Sequence, residues 1–310
     1  MKKIEEVGKA VPELMKRRSF VTRAGMLGLS ATAAGLFAAS PLRAKDWGDR
    51  NADDRDNTSG DTALEIFTAA LIAEDLATTF YYNGLVGAVI TDPNLAGTGG
   101  TATQTASNGN EGNVEYIRAA LSEEIAHANL LRTLIGGKDA AGDPVQTFYL
   151  PTGSFDTLAP FTGLLDALEN AFIGAYLNAT IEFAQMAADT KSGVQRQKDA
   201  SGKHIPSTSL EYYAQVAAAI LGVESEHRVL GRVISNTNPA NQLTYEQTDG
   251  LTSVYNGKTS AVAALTPFLA PGAGKTAYSL QTALEGAASV SLPSTGGLPT
   301  PPAAPKDDDR

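Results

Sequence analysis

The stretch Glu74-Asp75-Leu76-Ala77-Thr78-Thr79-Phe80-Tyr81, followed later by Glu124-Ile125-Ala126-His127, decides how this chain folds. The pattern recurs as Glu169 to Tyr176 and then Glu224-Ser225-Glu226-His227. Each half reads E-x6-Y and then E-x-x-H, its two glutamates 50 residues apart in the first half and 55 in the second. Two of the chain's 3 histidines hold matching places in this pattern. Four carboxylates and two imidazoles are a donor set suited to a pair of bridged metal ions.

Working outward, proline and glycine cut the chain into four helix-compatible segments. The first spans 61–90 and ends at Thr91-Asp92-Pro93-Asn94, where proline blocks continuation. Residues 95–112 are rich in Gly, Thr, Ser and Asn and form a loop. The second helix spans 113–135 and stops at Gly136-Gly137. The third spans 161–188, and the fourth runs from an N-cap at Ser207 or Ser209 to about Ser235. Between the second and third lies a proline-punctuated connection over 138–160. Its roughly 23 residues, at up to ~3.3 Å each, can travel the length of a helical bundle. That is the single long crossover which separates one class of four-helix bundle from a simple up-down-up-down arrangement.

Core positions of a packed helix recur at spacings of three and four. On that ladder Glu74 and Tyr81 fall in line with Leu71 and Leu85, and Glu124 and His127 with Ile117 and Leu131. Glu169 and Tyr176 align with Leu165 and Phe183, and Glu224 and His227 with Ile220 and Ile234. All six candidate ligands therefore face the interior, while Asp75, Glu123, Glu182 and Glu226 fall off the stripes and are expected in solvent. Four buried carboxylates without cations would cost several kcal/mol per ion, so the stripes call for metal. Residues three apart on one helix can bind the same ion, so each E-x-x-H pair can serve one metal while its glutamate bridges to the other. Oxygen-rich coordination with one imidazole each suits Fe or Mn. Tyr81 and Tyr176, two turns beyond their glutamates, are placed to hydrogen-bond a ligand carboxylate. Asp166, one turn before Glu169, reads as a helix N-terminal charge.

The remaining composition narrows the classes. With no cysteine, disulfides, thiolate metal sites and iron–sulfur clusters are excluded. Lys16-Arg17-Arg18-Ser19-Phe20-Val21 reads as a twin-arginine signal, followed by a mildly apolar stretch over 24–39 and a cleavage point after Ala44. The expectation is export to the periplasm or cell envelope, without stable membrane insertion once the signal is removed. Residues 1–44 hold 8 of the 24 basic and 3 of the 34 acidic residues, leaving 16 and 31 and a net charge of −15. So acidic a surface repels nucleic acid and attracts cations. Residues 45–60 read as a polar linker, 236–288 as an extension with short helices around 260–269 and 276–288, and 289–310 as a disordered tail.

The doubled pattern resembles the ferritin-like superfamily, in particular the rubrerythrin-like branch marked by E-x6-Y. With the export signal and long polar loops it is similar to the desiccation-related ferritin-like proteins of bacteria. The resemblance covers about 61–235. It implies an all-α, antiparallel four-helix bundle with one long crossover, followed by an irregular extension. It further implies Glu74, Glu124, His127, Glu169, Glu224 and His227 as ligands to two Fe ions, or Mn ions, as in carboxylate-bridged bundles of this kind. The function so implied is oxidation of Fe(II), or reduction of O2 or peroxide, in stress defence. A dimanganese catalase-like enzyme and a non-enzymatic protective protein with a structural di-metal site are the alternatives. The resemblance is also compatible with a homo-oligomer. The loop at 95–112 and the C-terminal residues beyond 235 argue against a closed cage.

Overall fold

In the computed structural model, residues 60–87, 89–237, 239 and 245–293 are described. The expected signal at 1–44, the linker up to 59 and the tail from 294 lie outside the described residues. Four long helices form the body: α1 (Ala63–Tyr82), α2 (Glu111–Ile135), α3 (Leu158–Ser192) and α4 (Ser207–Ile234). Strand β1 (Thr147–Pro151) interrupts the connection between α2 and α3. Beyond α4 come the short helix α5 (Ala261–Leu265), strand β2 (Lys275–Ser279) and helix α6 (Leu280–Ala288). Among the described residues no helix is long and apolar enough to cross a membrane.

Local signals set the helix ends. Thr62 caps α1 through a capping box: its hydroxyl accepts from the Glu65 N–H, and the Glu65 carboxylate accepts from the Thr62 N–H. Gly136 ends α2 in the left-handed conformation, φ 78°, which glycine adopts without a Cβ penalty. Several boundaries differ from the sequence reading. Helix α3 runs over Leu158–Ser192 rather than 161–188, and the helix expected at 276–288 begins only at Leu280, after β2. Two further ends have clear local causes. Helix α1 stops at Tyr82 and passes into a π-turn over Asn83–Gly87, well before Pro93. Asn83, Gly84 and Gly87 are weak helix formers clustered there, and the Asn83 amide turns back to bond the Thr79 carbonyl. Helix α4 begins at Ser207 with Pro206, rather than a serine, in the cap position.

The helix directions follow from the contacts. Tyr81 reaches Glu169 while Tyr176 reaches Glu74, so α1 and α3 run antiparallel. Asp75 pairs with Arg132 near the far end of α2, and Asp166 pairs with Arg232 near the end of α4. Hence α1 opposes α2, α3 opposes α4, and α2 and α3 run parallel, which requires the chain between them to return along the bundle. This is an all-α, ferritin-like bundle with one crossover. Two apolar clusters fill it. One gathers Leu76, Phe80, Ile117, Leu121, Phe161, Leu165 and Phe172, and the other Phe67, Leu71, Leu131, Phe183, Val216 and Ile220.

The crossover and the extension hold each other. Strand β1 pairs antiparallel with β2, Thr147 opposite Ser279 and Pro151 opposite Lys275. The extension then folds over α1 and α3. Asp61 accepts from the backbone N–H groups of Tyr255 and Asn256, both at 2.8 Å. Gly174 permits a close backbone approach, because a Cβ there would lie 2.4 Å from the Thr248 carbonyl oxygen. Val290 and Leu292 continue along the core, and Ser122 donates to the Pro293 carbonyl.

This packing corrects the expected solvation of two acids. Asp75 is fully buried, 0 % exposed, and takes the Arg132 guanidinium at 2.6 Å. Glu182 is buried and accepts the Val254 N–H at 3.0 Å. Glu226 is exposed as expected. Asp166 lies well inside α3 and accepts from Arg232 and Asn170, so it is an inter-helix partner and not an N-terminal charge. Arg132 also binds Asp143 on the crossover at 2.7 Å. Removing it strands two buried carboxylates, so Arg132→Ala should lower the unfolding free energy by about 3–5 kcal/mol, read as a shift of the urea midpoint. A change below 1 kcal/mol, a surface-pair value, would contradict the burial of this triad.

Candidate metal centre

All six sequence-predicted ligands meet at one level between the two apolar clusters. Glu74 comes from α1, Glu124 and His127 from α2, Glu169 from α3, and Glu224 and His227 from α4. Glu124, Glu169 and Glu224 are 0 % exposed and Glu74 is 2 % exposed. Two overlapping groups emerge: Glu74, Glu124, His127 and Glu224, and then Glu124, Glu169, Glu224 and His227, with ligand atoms in each group within 4.8 Å of one another. Glu124 and Glu224 belong to both.

The two imidazoles point the same nitrogen inward. Nδ1 of His127 lies 3.3 Å from Glu74, 3.7 Å from Glu124 and 3.5 Å from Glu224. Nδ1 of His227 lies 3.0 Å from Glu124 and 3.4 Å from Glu224. The tyrosines bond across the repeat. The Tyr81 phenol donates to Glu169 at 2.6 Å, and the Tyr176 phenol donates to Glu74. Each E-x6-Y tyrosine thus serves the glutamate of the other half. Spacing along one helix suggested the partner type but not this exchange.

One contributor lies off the interior ladders. Glu123, next to Glu124 and off the interior ladder, leans over the rim of the site and takes Nε2 of His227 at 2.9 Å. Its position one residue before a ligand was the available signal. His204 lies exposed at a loop bridge, apart from the cluster.

The donor atoms fit a pair of cations. Both carboxylate oxygens of Glu124 and Glu224, Oε2 of Glu169 and Nδ1 of His227 are buried with no hydrogen-bond partner. His227 Nδ1 lies near Glu124, but not in a geometry that makes a hydrogen bond. Groups of this kind do not stay unpaired in a protein interior without compensation. Four negative carboxylates and two neutral imidazoles would be balanced by two divalent ions.

Without metal the cluster redistributes protons. Burial, reinforced by Glu224 and Glu124, drives Glu74 and Glu169 well above the usual carboxylate range. Burial would also raise Glu124, but His227 and His127 beside it hold it far below that range. Burial alone would lower the imidazoles, yet Glu74 around His127 and Glu124 around His227 hold both well above the ordinary histidine range. Glu74, Glu169, His127 and His227 therefore all take up protons on folding. Their contribution is complete below the unfolded values, near ~4.3 for Glu and ~6.5 for His, and is lost as pH rises through the folded values. The depression of Glu124 has the opposite sign and acts only below ~4.3. Chelated protein should therefore melt at a higher temperature at pH 5.5 than at pH 8. Metal-loaded protein should show the reverse, because metal needs the groups deprotonated. Thermal unfolding monitored by circular dichroism checks both; a chelated sample that gains stability toward pH 8 contradicts the assignment.

Comparison with known proteins agrees with the geometry. Residues 62–192, which span α1 to α3, match the family described as ferritin-like domain. Helix α4, with Glu224 and His227, lies beyond the matched residues, and its place in the site rests on the contacts above. No curated protein and no solved structure gives a significant match. The crossover bundle, the buried glutamate–histidine cluster and the matched helices lead to one assignment: residues 62–192 of this chain carry a ferritin-like domain.

Proposed function

We propose that the chain is an exported di-metal carboxylate protein, binding two iron ions, that oxidises Fe(II) at the expense of O2 in stress defence. The observation that carries this reading is the set of buried, unpartnered carboxylate oxygens on Glu124 and Glu224, shared by the two ligand groups. Export rests on the twin-arginine pattern at 16–21 alone.

A metal pair bound there would supply the redox and Lewis-acid chemistry. The protein's own part is positional. Glu124 and Glu224 are central and uncommitted, so their oxygens are available to either ion. Glu74 and Glu169 are each held by a phenol from the opposite half. Burial, together with Glu169 beside Tyr81 and Glu74 beside Tyr176, raises both phenols well above their ordinary value, so they remain hydrogen-bond donors at neutral pH. The apolar clusters above and below shield the site along the bundle axis.

An apolar pocket favours O2 over peroxide as oxidant. It lies between α1 and α3 beside α5, walled by Ala69, Ala73, Ala175 and Leu265, and it reaches Tyr176. Peroxide has hydroxyl groups that such walls leave unpaired, whereas an apolar diatomic loses nothing there.

Metal-free protein given Fe(II) under anaerobic conditions should bind about two ions per chain, as in related bundles, and consume O2 when air is admitted. Glu124→Gln and Glu224→Gln should reduce both the bound iron and the O2 uptake. Iron content equal to the parent chain in both variants would remove these residues from the site. Two bound ions with no O2 uptake would leave a structural metal centre instead.

A further inference from the structure

The duplication fails at one position that matters. Glu124 and His127 correspond to Glu224 and His227 at a constant offset of 100 residues. At the residue just before the glutamate, the first half has Glu123 and the second has Val223.

The two histidines differ accordingly. His227 turns Nδ1 inward, and its Nε2 meets the Glu123 carboxylate at 2.9 Å. A carboxylate accepting the Nε2 proton fixes the tautomer, leaves the Nδ1 lone pair free for an ion, and raises the basicity of the ring as a ligand. His127 turns Nδ1 inward as well, but its Nε2 has no hydrogen-bond partner among the described residues. The place from which a partner would come by the symmetry of the bundle is held by Val223, which has no acceptor. The tyrosines do not compensate, since each half receives one phenol. Access differs in the same direction: the His127 side chain is 12 % exposed and that of His227 only 3 %.

We propose that the two metal positions are inequivalent. The position built by Glu169 and His227 binds tightly and fills first, and Glu123 is the positioning residue that sets its affinity. The position built by Glu74 and His127 is the weaker and more exchangeable one, on the side where a ferrous substrate ion enters and leaves. This deepens the di-metal reading above and rests on it.

Cobalt(II) titrated into the metal-free full chain, followed by calorimetry and by its visible absorption, tests the proposal without reference to turnover. The parent chain should bind in two resolved steps. Glu123→Ala should weaken the tight step by about 10–100-fold, the usual effect of losing such a partner, and leave the weak step in place, so that the two merge. Glu123→Asp should restore much of the difference. His127→Ala should remove the weak step and His227→Ala the tight one. Glu123 is only partly buried, with its side chain 38 % exposed, so metal-free Glu123→Ala should still unfold in one cooperative transition, lowered by no more than a few degrees, which separates lost affinity from lost fold. Two equal steps in the parent chain, or an unchanged tight step in Glu123→Ala, overturn the inequivalence and leave the di-metal reading standing. No cobalt bound at either step overturns both.

Discussion

Four carboxylates held out of water at the middle of a helical bundle are the constraint on which the rest of this structure depends. Each would cost several kcal/mol to bury without compensation. Glu74, Glu124, Glu169 and Glu224 come from four different helices, so the cost can be met only if all four helices arrive at one level. The antiparallel pairs deliver that convergence, and the crossover allows α2 and α3 to run parallel within it. The apolar clusters on either side oppose the repulsion at the centre. Imidazoles and phenols satisfy part of the donor set, and the oxygens left over are those that cations could take.

Much of this was readable from local spacing. A helix stripe is a property of residues three and four apart, so the interior placement of all six candidate ligands needs no knowledge of distant chain. The crossover was legible for a similar reason, because its length and prolines lie in one stretch. Asp75 shows where such reading ends. The stripe treats a helix as having one buried face, but α1 is buried nearly all round from Ala63 to Tyr81. The extension covers its outer side, and Arg132 reaches it from 57 residues away. Glu182 is buried for the same reason, taken up by Val254 of the extension. Strands β1 and β2 are not legible locally because they form only by pairing with each other, Thr147 with Ser279 and Pro151 with Lys275, across a wide separation in sequence. Glu123 was passed over because it sits at the edge of a stripe, where a long side chain can still lean inward.

The extension is therefore part of how the site is held. It grips the N-terminus of α1 through Asp61, lies directly on α3 at Gly174, and pairs through β2 with the crossover strand. The loop that makes the topology possible and the segment that follows the bundle form one small sheet. The parallel placement of α2 and α3 thereby has a second support besides the core.

The crossed phenol–carboxylate bonds carry a different implication. Tyr81 completes Glu169, and Tyr176 completes Glu74, so neither helical hairpin owns a finished half-site. A lone hairpin bearing E-x6-Y and E-x-x-H would have a tyrosine with no carboxylate to hold and a glutamate with no phenol. Two identical hairpins related by a twofold axis would satisfy both at once. The single chain can thus be viewed as a covalently joined pseudo-dimer. In that view the crossover is the tether, and the site is an interface that became a core.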